Sequence, residues 1–178
     1  WPYPTYPRFL QLLCSPRSLR VADGGIAGEV SPAGPRHVAN YLDWFSNANW
    51  FIIGFGTNDL GMASDAVGAS LQIISNLQTM ADYVKQQHKQ VLFLNVPNVR
   101  FAGFPTTTAE QLRRDRVHHN KKLTEFCKSA DIPLIDICKP LLDEHFGDEV
   151  HPNEAGAQII AEQVFSTLRP MLDKLGTP

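Results

Sequence analysis

The sequence predicts a doubly wound α/β fold, in which one parallel sheet carries helices on both faces. Three observations support this prediction: short apolar-rich runs alternate with helical patterns, most positions within the runs are apolar, and polar or glycine-rich segments follow them. Crossover helices bury both faces of parallel strands, which produces continuous apolar runs. In such folds ligands bind beyond the carboxyl ends of the strands, so the residues after each run are the candidates for function.

Four apolar runs predict the strands. Leu19–Ala22 predicts a strand that leads into a glycine loop reaching about Arg36. Trp50–Phe55 and Val91–Val96 are continuous apolar and β-branched runs, which indicates strands buried on both faces. Pro133–Ile137 predicts a further buried strand.

Helical patterns separate and follow these strands. Apolar residues recur every three or four positions from Val67, and Asp65 or Ser64 fits the N-cap of that helix. Thr107 with Glu110 fits a capping box at the start of the next helix. Asn153–Leu172 predicts a closing amphipathic helix.

Length and composition restrict the class of protein. A chain of 178 residues favours one domain over residues 1–178. No segment approaches the roughly 20 apolar residues of a membrane span. The formal charge of -2, without a basic stripe, argues against a nucleic-acid partner. Cys14, Cys127 and Cys138 allow at most one disulfide, and no CxxC pair indicates zinc.

The candidate catalytic residues lie in segments that follow predicted strands. His151 is suited to general-base chemistry near neutral pH, and Asp148 can hold its imidazole in one tautomer. Asn58 can donate an amide N–H to a developing oxyanion, and Gly28 can offer it a backbone N–H. Each segment alone has a structural alternative: Asp148 as a helix cap beside a solvated His151, and ordinary turns at the other two positions.

Together these segments resemble the signature blocks of the SGNH hydrolases, also called the GDSL esterase and lipase family. DGGIAGEV is similar to the family's glycine block, GTND to its asparagine block and DEVHP to its Asp-x-x-His block. The stretch before GTND, the VLFLNVPN strand and Asn120 extend the resemblance over essentially the whole chain. It implies a flavodoxin-like parallel sheet, with Asp148 and His151 as catalytic residues and Gly28 and Asn58 as the oxyanion hole.

The implied function is that of a serine esterase acting on a small-molecule substrate. It would hydrolyse carboxylic esters, of short acyl or acetyl groups, through an acyl-enzyme and without a cofactor or metal. The family's nucleophile lies in a Gly-Asp-Ser segment after the first strand, and nothing before Asp23 matches that segment. The required strand-to-helix position is occupied by none of Ser15, Ser31, Ser64 and Ser70. We therefore expect the nucleophile and a first strand to precede Trp1; the alternative is a nucleophile-lacking binding module, or pseudoenzyme.

Two other kinds of site are disfavoured by spacing. A dinucleotide-binding G-x-G-x-x-G motif would need glycine at Asp23, and Pro32 and Pro35 argue against a regular helix directly after Gly28.

A metal site on the next helix is disfavoured as well. His118 and His119 are adjacent, so on a helix they point about 100° apart and cannot easily share an ion. Phe101 and Phe104 either line an acyl pocket or belong to the core, and the sequence leaves both readings open.

Overall fold

The computed structural model describes residues 5–98 and 109–174 of the chain. Thr107, Phe101 and Phe104, which the sequence analysis singles out, lie outside the described residues. The chain divides into two compact units. The sheet unit comprises Ile26–Val96 and Phe104–Leu134, and the terminal unit comprises Trp1–Gly25, Pro97–Gly103 and Ile135–Pro178.

Strands and helices alternate along the described chain, which confirms the predicted α/β fold. The helices are α1 (Tyr6–Cys14), α2 (Gly34–Trp44), α3 (Thr57–Met62), α4 (Ala66–Gln86), α5 (Ala109–Ser129) and α6 (Glu154–Lys174). The strands are β1 (Trp50–Ile53), β2 (Gln90–Leu94) and β3 (Leu134–Ile135), which form one sheet in the order β1-β2-β3. None of the helices in this part of the chain combines the length and apolarity needed to cross a lipid bilayer.

Burial of the strands follows their place in the sheet. β2, in the middle, pairs in parallel with β1 and is buried on both faces from Val91 to Leu94, as its apolar run predicts. β1 lies at an edge of the described sheet, and only Ile53 of its four residues is fully buried. The prediction of burial on both faces is therefore wrong for most of β1.

Helix α4 supplies much of the core of the sheet unit. It begins where the sequence predicts, because Asp65 Oδ1 accepts the Val67 N–H at 3.1 Å and caps the helix. The predicted stripe is confirmed at Leu77, Ala81 and Val84, whereas Val67 and Leu71 near the start of the helix are exposed. The buried members are Ser70, Ile73, Leu77, Met80, Ala81 and Val84.

The predicted strand at Leu19–Ala22 is not formed. Its backbone is bound by a side chain instead, because Gln11 Nε2 donates to Leu19 O at 3.0 Å and Gln11 Oε1 accepts the Val21 N–H at 2.8 Å. A glutamine amide offers a donor and an acceptor, as a neighbouring strand does. The segment therefore has no regular secondary structure and does not belong to the described sheet.

Helix α2 was not predicted, because two prolines at its start suggested a loop. Pro32 lies within a short 3-10 turn, and Pro35 occupies the first turn of α2. Proline is tolerated there, since the first N–H groups of a helix have no intrahelical partner.

The terminal unit is built on the packing of α1 against α6. Leu10 and Cys14 form the buried stripe of α1, and the buried residues of α6 recur with helical spacing from Ala157 to Leu172. Arg17 adds an ion pair with Asp173 at 2.7 Å.

Asn120 of α5 binds the backbone just beyond the end of β2. Its Oδ1 accepts the Val96 N–H at 2.9 Å and its Nδ2 donates to Val96 O at 2.8 Å. Val96 is buried, so water cannot easily replace these bonds. The amide continues the strand's hydrogen bonding after its partner strands have ended.

Asn120→Ala should lower the free energy of unfolding by about 2–4 kcal/mol, because it leaves both a buried donor and a buried acceptor of Val96 unpaired. Urea unfolding measures this loss. Asn40→Ala, at an exposed position of α2, is the control and should change stability by less than about 0.5 kcal/mol. Equal effects of the two substitutions would contradict the role of Asn120.

Candidate active site

Asp148 and His151 contact one another in the loop before α6. Asp148 Oδ2 lies 2.9 Å from His151 Nδ1, and Oδ1 lies 3.2 Å from the same nitrogen. Asp148 Oδ1 also accepts the backbone N–H groups of Val150 at 2.8 Å and His151 at 2.7 Å. One carboxylate therefore orders both the loop and the imidazole.

These contacts determine the protonation states of the pair. Burial by itself would raise the pKa of Asp148, but the hydrogen bonds from the His151 backbone and side chain and from Val150 outweigh it and lower the pKa. An ionised carboxylate only accepts hydrogen bonds, so His151 Nδ1 carries a proton and Nε2 of the neutral ring keeps its lone pair. The His151 side chain is 48% exposed.

The loop that carries this pair is closed by backbone contacts. Gly147 N–H donates to His151 O at 2.9 Å, and Asn153 N–H donates to His145 O at 2.9 Å. Gly156, in the first turn of α6, touches the same loop: a Cβ on it would lie 2.2 Å from His145 O. The close approach leaves no room for a side chain at that position.

Gly28 lies at the third position of a turn over residues 26–29. Glu29 N–H donates to Ile26 O at 3.3 Å, and Gly28 has a φ of 74°. This combination is typical of a type II turn, whose third position favours glycine. A Cβ on Gly28 would meet nothing within 4 Å, so conformation and not space requires glycine here. The Gly28 N–H belongs to the central peptide of this exposed turn.

Asn58 stands in the first turn of α3, directly after the turn that follows β1. Gly56 is the N-cap residue of that helix and has a φ of 123°. A Cβ on it would lie 2.7 Å from Val96 Cγ2. Both the conformation and the close approach require glycine. Asn58 Nδ2 donates to Glu29 O at 2.9 Å. A side-chain amide has two N–H groups, so this bond leaves one for another acceptor.

Two further polar residues lie beneath this turn and were not predicted to have a role. Asp59 Oδ1 accepts the Ser31 N–H at 2.9 Å, and Asp59 Oδ2 is buried with no hydrogen-bond partner among the described residues. His119 is fully buried, with Nδ1 3.0 Å from Ser70 Oγ. A Cβ on Gly56 would lie 3.4 Å from His119 Nε2, so this ring faces the turn that precedes Asn58.

Helical spacing is the signal that could have found His119. It lies on the buried stripe of α5 with Leu112, Leu123 and Cys127, whereas His118 next to it is exposed. The two imidazoles differ too much in environment to bind one ion. Across residues 5–98 and 109–174, no three His, Cys, Asp or Glu side chains converge as a metal site would require.

The structure thus brings the sequence-predicted residues together in pairs. Asp148 and His151 are joined within the terminal unit. Asn58 is joined to Glu29, the neighbour of Gly28, within the sheet unit.

The sequence profile of the GDSL-like Lipase/Acylhydrolase family matches residues 1–159. The chain belongs to this family.

Solved structures resemble this GDSL hydrolase in fold. The crystal structure of TesA has a TM-score of 0.75 at 22% identity, covering 94% of this chain and 89% of that chain. A carbohydrate esterase family 3 member from Talaromyces cellulolyticus has a TM-score of 0.73 at 14% identity, with coverages of 97% and 93%. A catalytic mutant of Axe2, an acetylxylan esterase from Geobacillus stearothermophilus, has a TM-score of 0.68 at 16% identity, with coverages of 93% and 81%. No curated protein sequence matches the chain.

The buried His119 should make the stability of this GDSL hydrolase depend on pH. Burial lowers its pKa from 6.5 to about 4; Asp59 opposes this effect and His118 adds to it. Because the unfolded chain takes up a proton on this side chain below about pH 6.5 and the folded chain does not, stability falls as the pH drops from there toward 4. His119→Gln should reduce the loss between pH 7 and 4.5 by on the order of 2 kcal/mol.

Urea unfolding at several pH values measures this dependence. His118→Gln, at the exposed neighbouring position, is the matched control and should leave the pH dependence as in the wild type. An unaltered pH dependence in His119→Gln would contradict the prediction.

Proposed function

We propose that this GDSL hydrolase is a serine esterase that cleaves small carboxylic esters with short acyl groups through an acyl-enzyme. The observation that carries the proposal is the Asp148–His151 pair, in which a 2.9 Å contact orients the imidazole through Nδ1 and the side chain is 48% exposed. The pair stands in the Asp-x-x-His spacing of the family to which the chain belongs.

In the first step, His151 Nε2 accepts the proton of a serine hydroxyl while the serine oxygen attacks the acyl carbon. The imidazolium that forms carries a positive charge next to the Asp148 carboxylate. The lowered pKa of Asp148 keeps that carboxylate ionised at neutral pH, so it stabilises the imidazolium without taking its proton.

The attack converts the acyl carbonyl oxygen into an oxyanion. Gly28 N–H and the second N–H of the Asn58 amide are the proposed donors to this oxygen. The bond from Asn58 to Glu29 O orders the amide donor before a substrate arrives, and the Gly28 N–H lies in the turn over residues 26–29. Donors ordered in advance stabilise the transition state without a cost of reorganisation.

Collapse of the tetrahedral intermediate completes acylation. The ester C–O bond breaks, and His151 returns its proton to the departing alcohol oxygen. A water molecule then loses a proton to His151 and attacks the acyl-enzyme, and the same steps release the acid and restore the serine. Neither half-reaction requires a cofactor.

The proposed acyl group is short, with acetyl as the preferred candidate. Two proteins of similar fold are described as esterases, one of them as an acetylxylan esterase. Their identities of 14% and 16% support the fold alone, so the acetyl preference is part of the proposal. The expected substrate is therefore an acetylated sugar or another small acetyl ester.

His151→Ala should lower kcat for p-nitrophenyl acetate on the order of 10⁴-fold, because it removes the proposed general base that Asp148 orients. The measurement uses the form of the protein that contains the nucleophilic serine, with circular dichroism as the test of folding. His118→Ala, at an exposed position of α5, is the control and should keep wild-type activity. Activity of His151→Ala within a few fold of the wild type would refute the proposal.

A fluorophosphonate probe should label no serine of the 178-residue chain. The physical reason is that no serine of the printed sequence has the predicted strand-to-helix position. Mass spectrometry of labelled peptides locates the adduct. Stoichiometric labelling of Ser15, Ser31 or any other serine of this chain would overturn the assignment.

A further inference from the structure

The segment that carries Gly28 is held in place by side chains of three helices. His37 of α2 contacts the Glu29 carboxylate, and Asn58 of α3 binds Glu29 O at 2.9 Å. Asp59, next to Asn58, accepts the Ser31 N–H at 2.9 Å. Asn76 of α4 donates to Ser31 Oγ at 3.0 Å. These contacts all lie within the sheet unit.

Little within the turn itself holds the orientation of the Gly28 N–H. Type I and type II turns differ mainly by rotation of their central peptide, here the Ala27–Gly28 peptide. Glycine adopts positive and negative φ about equally, and no atom would contact a Cβ at Gly28. The only backbone bond across the turn is long, at 3.3 Å. The conformation of the turn must therefore be maintained by the side chains that bind Glu29 and Ser31.

Asp59 is placed to supply that restraint. Ser31 is fully buried and its N–H is bound by the Asp59 carboxylate, so the chain is anchored three residues after Gly28. Asn58 anchors Glu29 from the same turn of α3. Consecutive side chains of one short helix thus bind alternate residues of one loop.

We propose that Asp59 is a positioning residue for the oxyanion hole, holding the Gly28 N–H toward the substrate by accepting the Ser31 N–H. This role rests on the proposed function, because it presumes that Gly28 and Asn58 bind an oxyanion. Without the anchor, the central peptide of the turn rotates and one of the two donors turns away. Substrate still binds, but the transition state loses part of its stabilisation.

Asp59→Ala should lower kcat for p-nitrophenyl acetate roughly 10- to 100-fold with little change in KM, as expected for a misplaced donor. Asp59→Asn keeps a side-chain oxygen that accepts the Ser31 N–H and should remain within about threefold of the wild type. Asp65→Ala is the matched control: it also removes a carboxylate that accepts a backbone N–H, that of Val67. It should lower the melting temperature without lowering kcat.

A second pair of variants tests the same bond from the donor side, in case Asp59→Ala fails to fold. Ser31→Pro removes the N–H together with the hydroxyl, whereas Ser31→Ala removes only the hydroxyl. Ser31→Pro should lose kcat as Asp59→Ala does, and Ser31→Ala should lose clearly less.

Asn58→Ala separates this inference from the proposed function and should lower kcat roughly 100- to 1000-fold. If Asn58→Ala loses activity and Asp59→Ala does not, the positioning role is wrong and the oxyanion hole stands. Equal losses in Asp59→Ala and Asp59→Asn, or in Asp65→Ala, also overturn the positioning role. If both Asn58→Ala and His151→Ala keep wild-type activity, the proposed function itself fails.

Discussion

Backbone groups just beyond the ends of short strands must be hydrogen-bonded, and here a helix side chain binds those that follow β2. The strands contain between two and five residues, so the sheet ladder ends early. Asn120 then binds both backbone groups of Val96, as a further strand residue would. Unpaired buried backbone groups are costly, so the placement of polar side chains on the inner surfaces of the helices is a condition of this fold.

The same requirement shapes the candidate site. Asn58 and Asp148 are the residues to which chemistry is assigned, and both also bind the backbone of a loop. Support and chemistry are thereby combined in single side chains. A substitution at either position would remove a proposed chemical role and a structural bond together, so a neighbour such as Asp59, which binds the backbone, is better suited to separate the two effects.

The sequence allowed prediction wherever one local pattern determined the outcome. β2 is a continuous apolar run, α4 begins at a capping aspartate, and the Asp148–His151 contact requires only a short turn. Prediction failed where a distant side chain decided the structure. The backbone of the segment from Leu19 to Ala22 is bound by the Gln11 side chain. No pattern within the segment indicates that a side chain, and not a neighbouring strand, binds it.

The site shows the same division between local and distant determinants. Gly28 and Asn58 were predicted from their motifs, but the bond of Asn58 to Glu29 joins residues 29 positions apart. Asp59 reaches Ser31 over a similar distance, and its neighbour His119 comes from α5. These contacts depend on how the helices pack around the sheet, which the sequence pattern alone does not specify.

The loop of Asp148 and His151 is closed at both ends: Asn153 returns to His145, and Gly156 lies against the His145 carbonyl. The backbone contacts at its two ends therefore fix the length of the loop from His145 to Gly156. Side chains of this loop that point to solvent can vary in chemistry without altering these backbone contacts. An inserted or deleted residue would shift the imidazole relative to its carboxylate, so the length of this segment is constrained together with the identities of Asp148 and Gly156.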